Sequence, residues 1–190
     1  FVYCDWDMLK TSEWHCHIHA VARAVAGCPV YVSDPAEVFN MEILQPLLIP
    51  GSDEVVPCES AGLPIDREIF QDPTSSRSPW WLVNSTSGGM IVVAFGLCDT
   101  GSEAMRDTLY PSDLNLIEEY ACLQVDLNGT GHAALLSQDG WDVQMHYMGF
   151  TVLALAKVHY LEDCRLAVFG LAGLWNPTGT VHIESEASQM

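Results

Sequence analysis

Apolar and polar positions follow different rhythms in different parts of this chain, and each rhythm predicts its own kind of element. The opening FVYCDWDML is an apolar, aromatic run that ends in Asp5 and Asp7 with Trp6 between them, the pattern of a short strand closed by carboxylates. A polar hinge follows, in which Ser12 is expected as an N-cap and Glu13 stands where a carboxylate favours the helix dipole. Trp14, Ile18, Val21, Ala22 and Val25 then recur at three- and four-residue spacing, and Gly27 supplies a left-handed stop. This spacing predicts a helix with one buried face. PVYVSD, between Pro29 and Pro35, predicts a second strand that again ends in a carboxylate, Asp34. AEVFNMEILQPLLIP predicts a second, shorter helix ended by Pro46, with a loop from Gly51 to Pro57.

A strand, helix and strand of this length imply a parallel pair joined by a right-handed crossover. In parallel α/β architectures the side chains that touch a ligand project from the C-terminal ends of strands. Asp5, Asp7 and Asp34 are therefore expected around one mouth. From Gly62 onward the texture changes: Pro64, DPTSS and NSTSGG punctuate short apolar runs such as WWLVN and MIVVAFGL. YACLQVDL, HAALLS and WDVQMHYM follow, the last alternating Trp141, Val143, Met145 and Tyr147 with polar residues, a half-buried strand. TVLALAKV, CRLAVFGL and TVHIES are compatible with further antiparallel strands. The fold class expected is α/β followed by all-β, with a βαβα unit over residues 1–58 and an antiparallel β-sandwich over residues 59–190.

Charge narrows the possible partners. Asp and Glu number 25 against 7 Lys and Arg, a formal net charge of −18, and such a surface repels nucleic-acid phosphates and anionic lipid. Neither nucleic acid nor membrane is expected as a partner, and no apolar run reaches the ~18 residues that cross a bilayer. The 7 cysteines are widely spaced within apolar runs, like small buried hydrophobes, so a reducing, cytoplasmic compartment is expected. The sequons at Asn84 and Asn128 are read as chance triplets.

The candidate chemistry is sparse. In HCHIH, His15 and His19 lie one helical turn apart, a spacing open to a transition metal, but Cys16 stands where a metalloprotease pattern needs Glu and no CxxC completes a zinc site. These histidines are expected to be polar residues flanking an amphipathic helix, with no metal or other cofactor. GTGHAA only superficially matches a dinucleotide turn, because ALLSQDGWD is too short to supply the helix that must follow. The strand-end carboxylates remain. Asp5 and Asp7 share one side of a strand with Trp6 between them, and an aromatic face beside carboxylates suits a sugar pocket.

DWDMLKTSEWHCHIHAVARAVAGCPVYVSD, followed by GLPIDREIFQDP, closely resembles the raffinose synthase, alkaline α-galactosidase and seed imbibition protein group within glycoside hydrolase family 36. Asp5, Trp6, Asp7 and Met8 match a DWDMF segment; His19, Ala22, Arg23, Ala24 and Gly27 match HxxARAxxG; Pro29, Tyr31, Val32, Ser33 and Asp34 match PxYVSD. Gly62, Pro64, Phe70, Asp72 and Pro73 match GxPTRDxLFxDP, and Gly170, Leu171, Leu174, Asn176, Gly179 and Val181 match a closing GLLDMFNSGGAV-like run. The chain departs from the group in three places: Pro35-Ala36-Glu37 replaces Lys-Pro-Gly, Asp66-Arg67 replaces the RD pair, and Gly96 replaces the asparagine of VFN.

The resemblance implies the last strands and helices of a (β/α)8 barrel followed by an antiparallel C-terminal β-domain. It implies a C-terminal portion of a retaining glycosidase or galactosyltransferase acting on α-galactosides of the raffinose family, with the nucleophile and the acid/base upstream of Phe1 and no catalytic residue in these 190. Asp5, Trp6, Asp7 and Asp34 would be substrate-binding residues, and the chain alone would be inactive. Exposed strand edges and a helix stripe would then pair with the rest of the barrel or with a second copy. The alternative is a non-catalytic carbohydrate-binding or structural β-domain, in which the carboxylates cap helices.

Overall fold

A computed structural model describes residues 6–128 and 131–182. Helix α1 spans Cys16–Ala26. The strands are β1 (Leu63–Pro64), β2 (Trp80–Thr86), β3 (Gly89–Phe95), β4 (Met105–Leu109), β5 (Tyr120–Gln124), β6 (Ala133–Leu135), β7 (Trp141–Met145), β8 (Phe150–Lys157), β9 (His159–Tyr160) and β10 (Arg165–Leu166). β1-β2-β3-β8-β5-β6 form a six-stranded sheet, while β4 with β7 and β9 with β10 form two-stranded ribbons. Every pairing among these strands is antiparallel.

Side-chain alternation on the large sheet explains its layers. Ile91, Val93 and Phe95 of β3 and Val152 of β8 point to one face, where they form a core with Ile18, Val21 and Val25 of α1. Val92 and Ala94 of β3 with Leu153 and Leu155 of β8 point to the other, against Leu109, Trp141, Val143 and Met145 of the β4–β7 ribbon. Because β3 and β8 are covered on both faces, their sequences read as unbroken apolar runs. β7 is covered on one face only, so Trp141, Val143 and Met145 are buried and Asp142 and Gln144 exposed, as the period of two predicts. The expected antiparallel β-structure is present, but its second layer is a two-stranded ribbon, and the opposite face is closed by α1.

The N-terminal third departs from the sequence pattern in instructive ways. Gly27 ends α1 at φ 64°, and a Cβ there would sit 1.9 Å from the carbonyl oxygen of Ser60, so both the turn and the close approach require glycine. The helix start differs from expectation: it begins at Cys16, with His15 in the cap position making no side-chain cap bond, and Ser12 is no cap. Trp14 lies before the helix and is 75 % exposed, outside the buried stripe. α1 is also buried on more than one face, because Leu9, Ile43 and Leu47 cover the side turned away from the sheet, and the small side chains of Ala20 and Ala24 admit that close packing.

PVYVSD forms a single parallel bridge, Leu9 to Val32, with Leu9 N–H donating to Tyr31 O at 2.7 Å and Ser33 N–H to Leu9 O at 3.1 Å. The expected second helix is replaced by two 3-10 turns, Met41–Ile43 and Gln45–Leu47. Pro46 sits inside the latter, because the missing N–H of proline is tolerated in the first turn and forbidden further in. Of CRLAVFGL only Arg165–Leu166 pairs as strand, and residues 183–185 of the TVHIES stretch expected as a strand lie outside the described residues. Asn84 of its sequon lies in β2, 3 % exposed, with Nδ2 donating to Val25 O at 2.8 Å and Ser60 O at 2.7 Å, so it is a strand-to-helix tie and closed to a glycan.

Candidate functional site

Arg23 organises the corner where the chain enters the helix. On α1 it lies one turn beyond His19, so both project from one face. It is 4 % exposed. Its Nη2 donates to the carbonyl oxygens of Trp6 at 2.5 Å and Asp7 at 3.0 Å, and its Nη1 donates to the carbonyl of His19 at 3.2 Å. Among the described residues no carboxylate forms an ion pair with it. Burial lowers the Arg23 pKa from its usual range, opposed by Cys28 and Asp7 nearby, and the backbone carbonyls supply the compensation that a buried charge requires.

The residues singled out from the sequence fall into three situations. Trp6 and Asp7 lie together at this corner: Asp7 holds φ 56°, a left-handed conformation uncommon outside glycine, and its Oδ1 accepts the N–H of Met8 at 2.7 Å. Asp34 is committed elsewhere. Its two oxygens accept the N–H groups of Thr11 at 2.6 Å and Ser12 at 2.9 Å, anchoring the turn that precedes α1. Partial desolvation would raise the Asp34 carboxyl, but the hydrogen bonds from Ser12 and Thr11 outweigh it and bring it down to about 2. Asp5 lies outside the described residues.

Trp6, His19 and Arg23 line a cleft of about 240 Å³, closed by Trp80 and Phe95 of the sheet and by Met148 of the turn between β7 and β8. Its wall is mainly aromatic and aliphatic, with His19 and Arg23 as the polar elements. The His19 pKa is lowered, first by burial, then by Arg23 and His15, with Asp7 opposing, which favours the neutral ring. The rings of His15 and His19 are 4.7 Å apart, and no group of three His, Cys, Asp or Glu placed to hold a metal ion occurs among the described residues. A larger hollow of about 540 Å³ lies between His17, Asn128, His132, Phe150 and Trp175, and is lined by none of Trp6, Asp7 and Asp34.

Sequence reasoning gave no role to Arg23 and missed Trp80, Phe95 and Met148. A signal for Arg23 existed: it is the one cation in the otherwise apolar HAVARAVAG helix stretch, and a cation there must find internal acceptors. The cleft wall had none, because Trp80, Phe95 and Met148 read as ordinary strand and turn residues until β2 and β3 are placed beneath α1.

Comparison with known proteins agrees with this part of the chain. The family model described as raffinose synthase or seed imbibition protein Sip1 matches residues 1–102. Over 95 % of its length the chain is 28 % identical to probable galactinol–sucrose galactosyltransferase 5 of Arabidopsis thaliana, covering 26 % of that protein. It is 33 % identical, over its whole length, to probable galactinol–sucrose galactosyltransferase 6 of the same plant, covering 29 % of it. Stachyose synthase of Pisum sativum is 33 % identical over 93 % of the chain, which covers 24 % of that enzyme. The chain thus spans about a quarter of the length of these curated relatives.

Proposed function

The chain belongs to the raffinose synthase or seed imbibition protein family, and from that premise we propose that it is the C-terminal portion of an enzyme that moves a galactosyl group from an α-galactoside donor to water or to another sugar. In this reading the bridge between Leu9 and Val32 belongs to the last strands of a (β/α)8 barrel, residues 1–58 contribute to that barrel, and residues 59–190 form its C-terminal β-domain. A carboxylate from an earlier barrel strand attacks the anomeric carbon, and a second, about 5 Å away, protonates the departing oxygen. The acceptor hydroxyl then displaces the enzyme carboxylate and gives its proton back to the second group. Neither carboxylate is supplied by these residues; Trp6 and Asp7, with Asp5, contribute to the site mouth. The buried thiols of Cys16 and Cys122 are in keeping with a reducing, cytoplasmic setting.

The observation that carries this reading is the position of Trp6: its ring lines a cleft while its carbonyl is tied to the core through Arg23, so an aromatic face is held ready for the apolar side of a sugar. The test is galactosyl transfer from galactinol to sucrose by the full-length polypeptide, with and without Trp6→Ala. A loss of transfer in a folded variant supports the reading, and unchanged transfer removes Trp6 from the site. The structural alternative gains from one observation, that both Asp34 oxygens accept backbone N–H groups, and for Asp34 we take an anchoring role as primary.

A further inference from the structure

Arg23 and His19 share a contact that says more than either residue alone. The Arg23 Nη1 lies 3.4 Å from Nδ1 of His19, and a guanidinium has donors only, so this contact favours Nδ1 of His19 as the acceptor and its proton on Nε2. The same guanidinium forks over the carbonyls of Trp6 and Asp7. We propose that Arg23 is a positioning residue that fixes two features of the cleft at once, the Trp6–Asp7 corner and the Nε2–H tautomer of His19, so that the cleft offers a sugar one aromatic face and one neutral N–H donor for a hydroxyl or ring oxygen. This assignment of the ligand class rests on the sugar reading given above; the clamp itself rests on the distances alone.

The groups that face His19 are consistent with a neutral ring. Arg23 and His15 disfavour a second proton, and Asp7, the opposing carboxylate, is itself exposed and occupied by the Met8 N–H. Nothing else in the cleft competes for the Nε2 proton in charge: Trp80, Phe95 and Met148 are uncharged. A lysine at position 23 carries the same charge but cannot span the two carbonyls and the ring nitrogen, because its ammonium lacks the planar fork.

The deciding experiment is a long-range proton–nitrogen correlation spectrum of the chain labelled in its histidines, with the His19 signals assigned by their disappearance in His19→Gln. The expected result is a single Nε2–H tautomer for His19 at neutral pH, converted to a mixture of tautomers in Arg23→Met, whose side chain has similar length and no donors. An Nδ1–H ring in the unsubstituted chain, or a tautomer unmoved in a folded Arg23→Met, overturns the clamp. Should Arg23→Met fail to fold, the spectrum of the unsubstituted chain still decides. Titration of the full-length polypeptide with galactinol, read by tryptophan emission, separates the two levels: a response that weakens about tenfold in Arg23→Lys, the loss expected for one well-aligned hydrogen bond, supports both. An assigned tautomer with no response to galactinol leaves the clamp standing and removes the sugar from the cleft.

Discussion

The Asp34 carboxylate receives the backbone N–H of Thr11 at 2.6 Å, and this contact ties the segment after Val32 to the turn that launches α1, 23 residues earlier. A carboxylate that accepts N–H groups is stabilised in its ionised form, and its pKa falls from 3.8 to about 2. The folded-state value is the depressed one, so the stabilisation is present above the unfolded value and is lost as pH falls from about 4 through about 2. Thermal melts across that interval are expected to show a decline in the unsubstituted chain that is shallower in Asp34→Asn. Equal slopes would show that Asp34 carries no such linkage.

Asn84 joins β2 to the end of α1 through its two amide hydrogen bonds to Val25 O and Ser60 O. Asn84→Ala leaves the buried Val25 carbonyl and the Ser60 carbonyl without that donor and is expected to cost about 2 kcal/mol, measured by urea unfolding. When the chain is passed through a secretory host, the mass of peptides bearing Asn84 is expected to show no glycan, since the amide is enclosed.

Asp107 serves two donors with one oxygen: Trp81 Nε1 at 2.8 Å and Arg67 Nη2 at 2.7 Å. Trp81 is fully buried, so Asp107→Ala strands an indole N–H beside the ribbon core, and the expected loss is about 2 kcal/mol. Arg67 is 35 % exposed, and its pairing is screened by solvent. In a double-mutant cycle with Arg67→Ala, the coupling between the two residues is therefore expected at about 1 kcal/mol or less. A larger coupling would show that the ion pair outweighs the indole bond.

Gly96 stands where the resembled group has asparagine, and an added Cβ would sit 2.4 Å from the carbonyl of His146 and 2.7 Å from Cε of Met105. His146 belongs to the turn that delivers Met148 to the cleft, where Met148 N–H donates to Gly96 O at 2.7 Å, and Met105 opens β4. Gly96→Asn is expected to destabilise by about 1–3 kcal/mol through overpacking. A neutral or stabilising effect in calorimetry would show that the turn shifts freely.

Much of the fold was written in local pattern. The strands β2, β3, β5, β7 and β8 and the helix stop at Gly27 follow from periodicity and turn residues, because alternation and a left-handed glycine depend on the chain's own geometry. The family was legible from motifs, with Trp6 and Asp7 among them. Long-range packing decided the rest. Trp14 matched the helical spacing and yet is exposed, since the helix begins only at Cys16; Pro46 entered a 3-10 turn where a helix end was expected; Asp34 anchors the backbone of Thr11 and Ser12, a partnership that exists only once the crossover is closed. Composition and spacing determined that this chain would build a short helix near its start and antiparallel strands after it, and the packing of that helix on the sheet was a tertiary outcome. Only the tertiary structure could bring Arg23 beneath Trp6 and set Trp80, Phe95 and Met148 opposite them, because a buried cation takes its acceptors from wherever the fold leaves carbonyls unpaired.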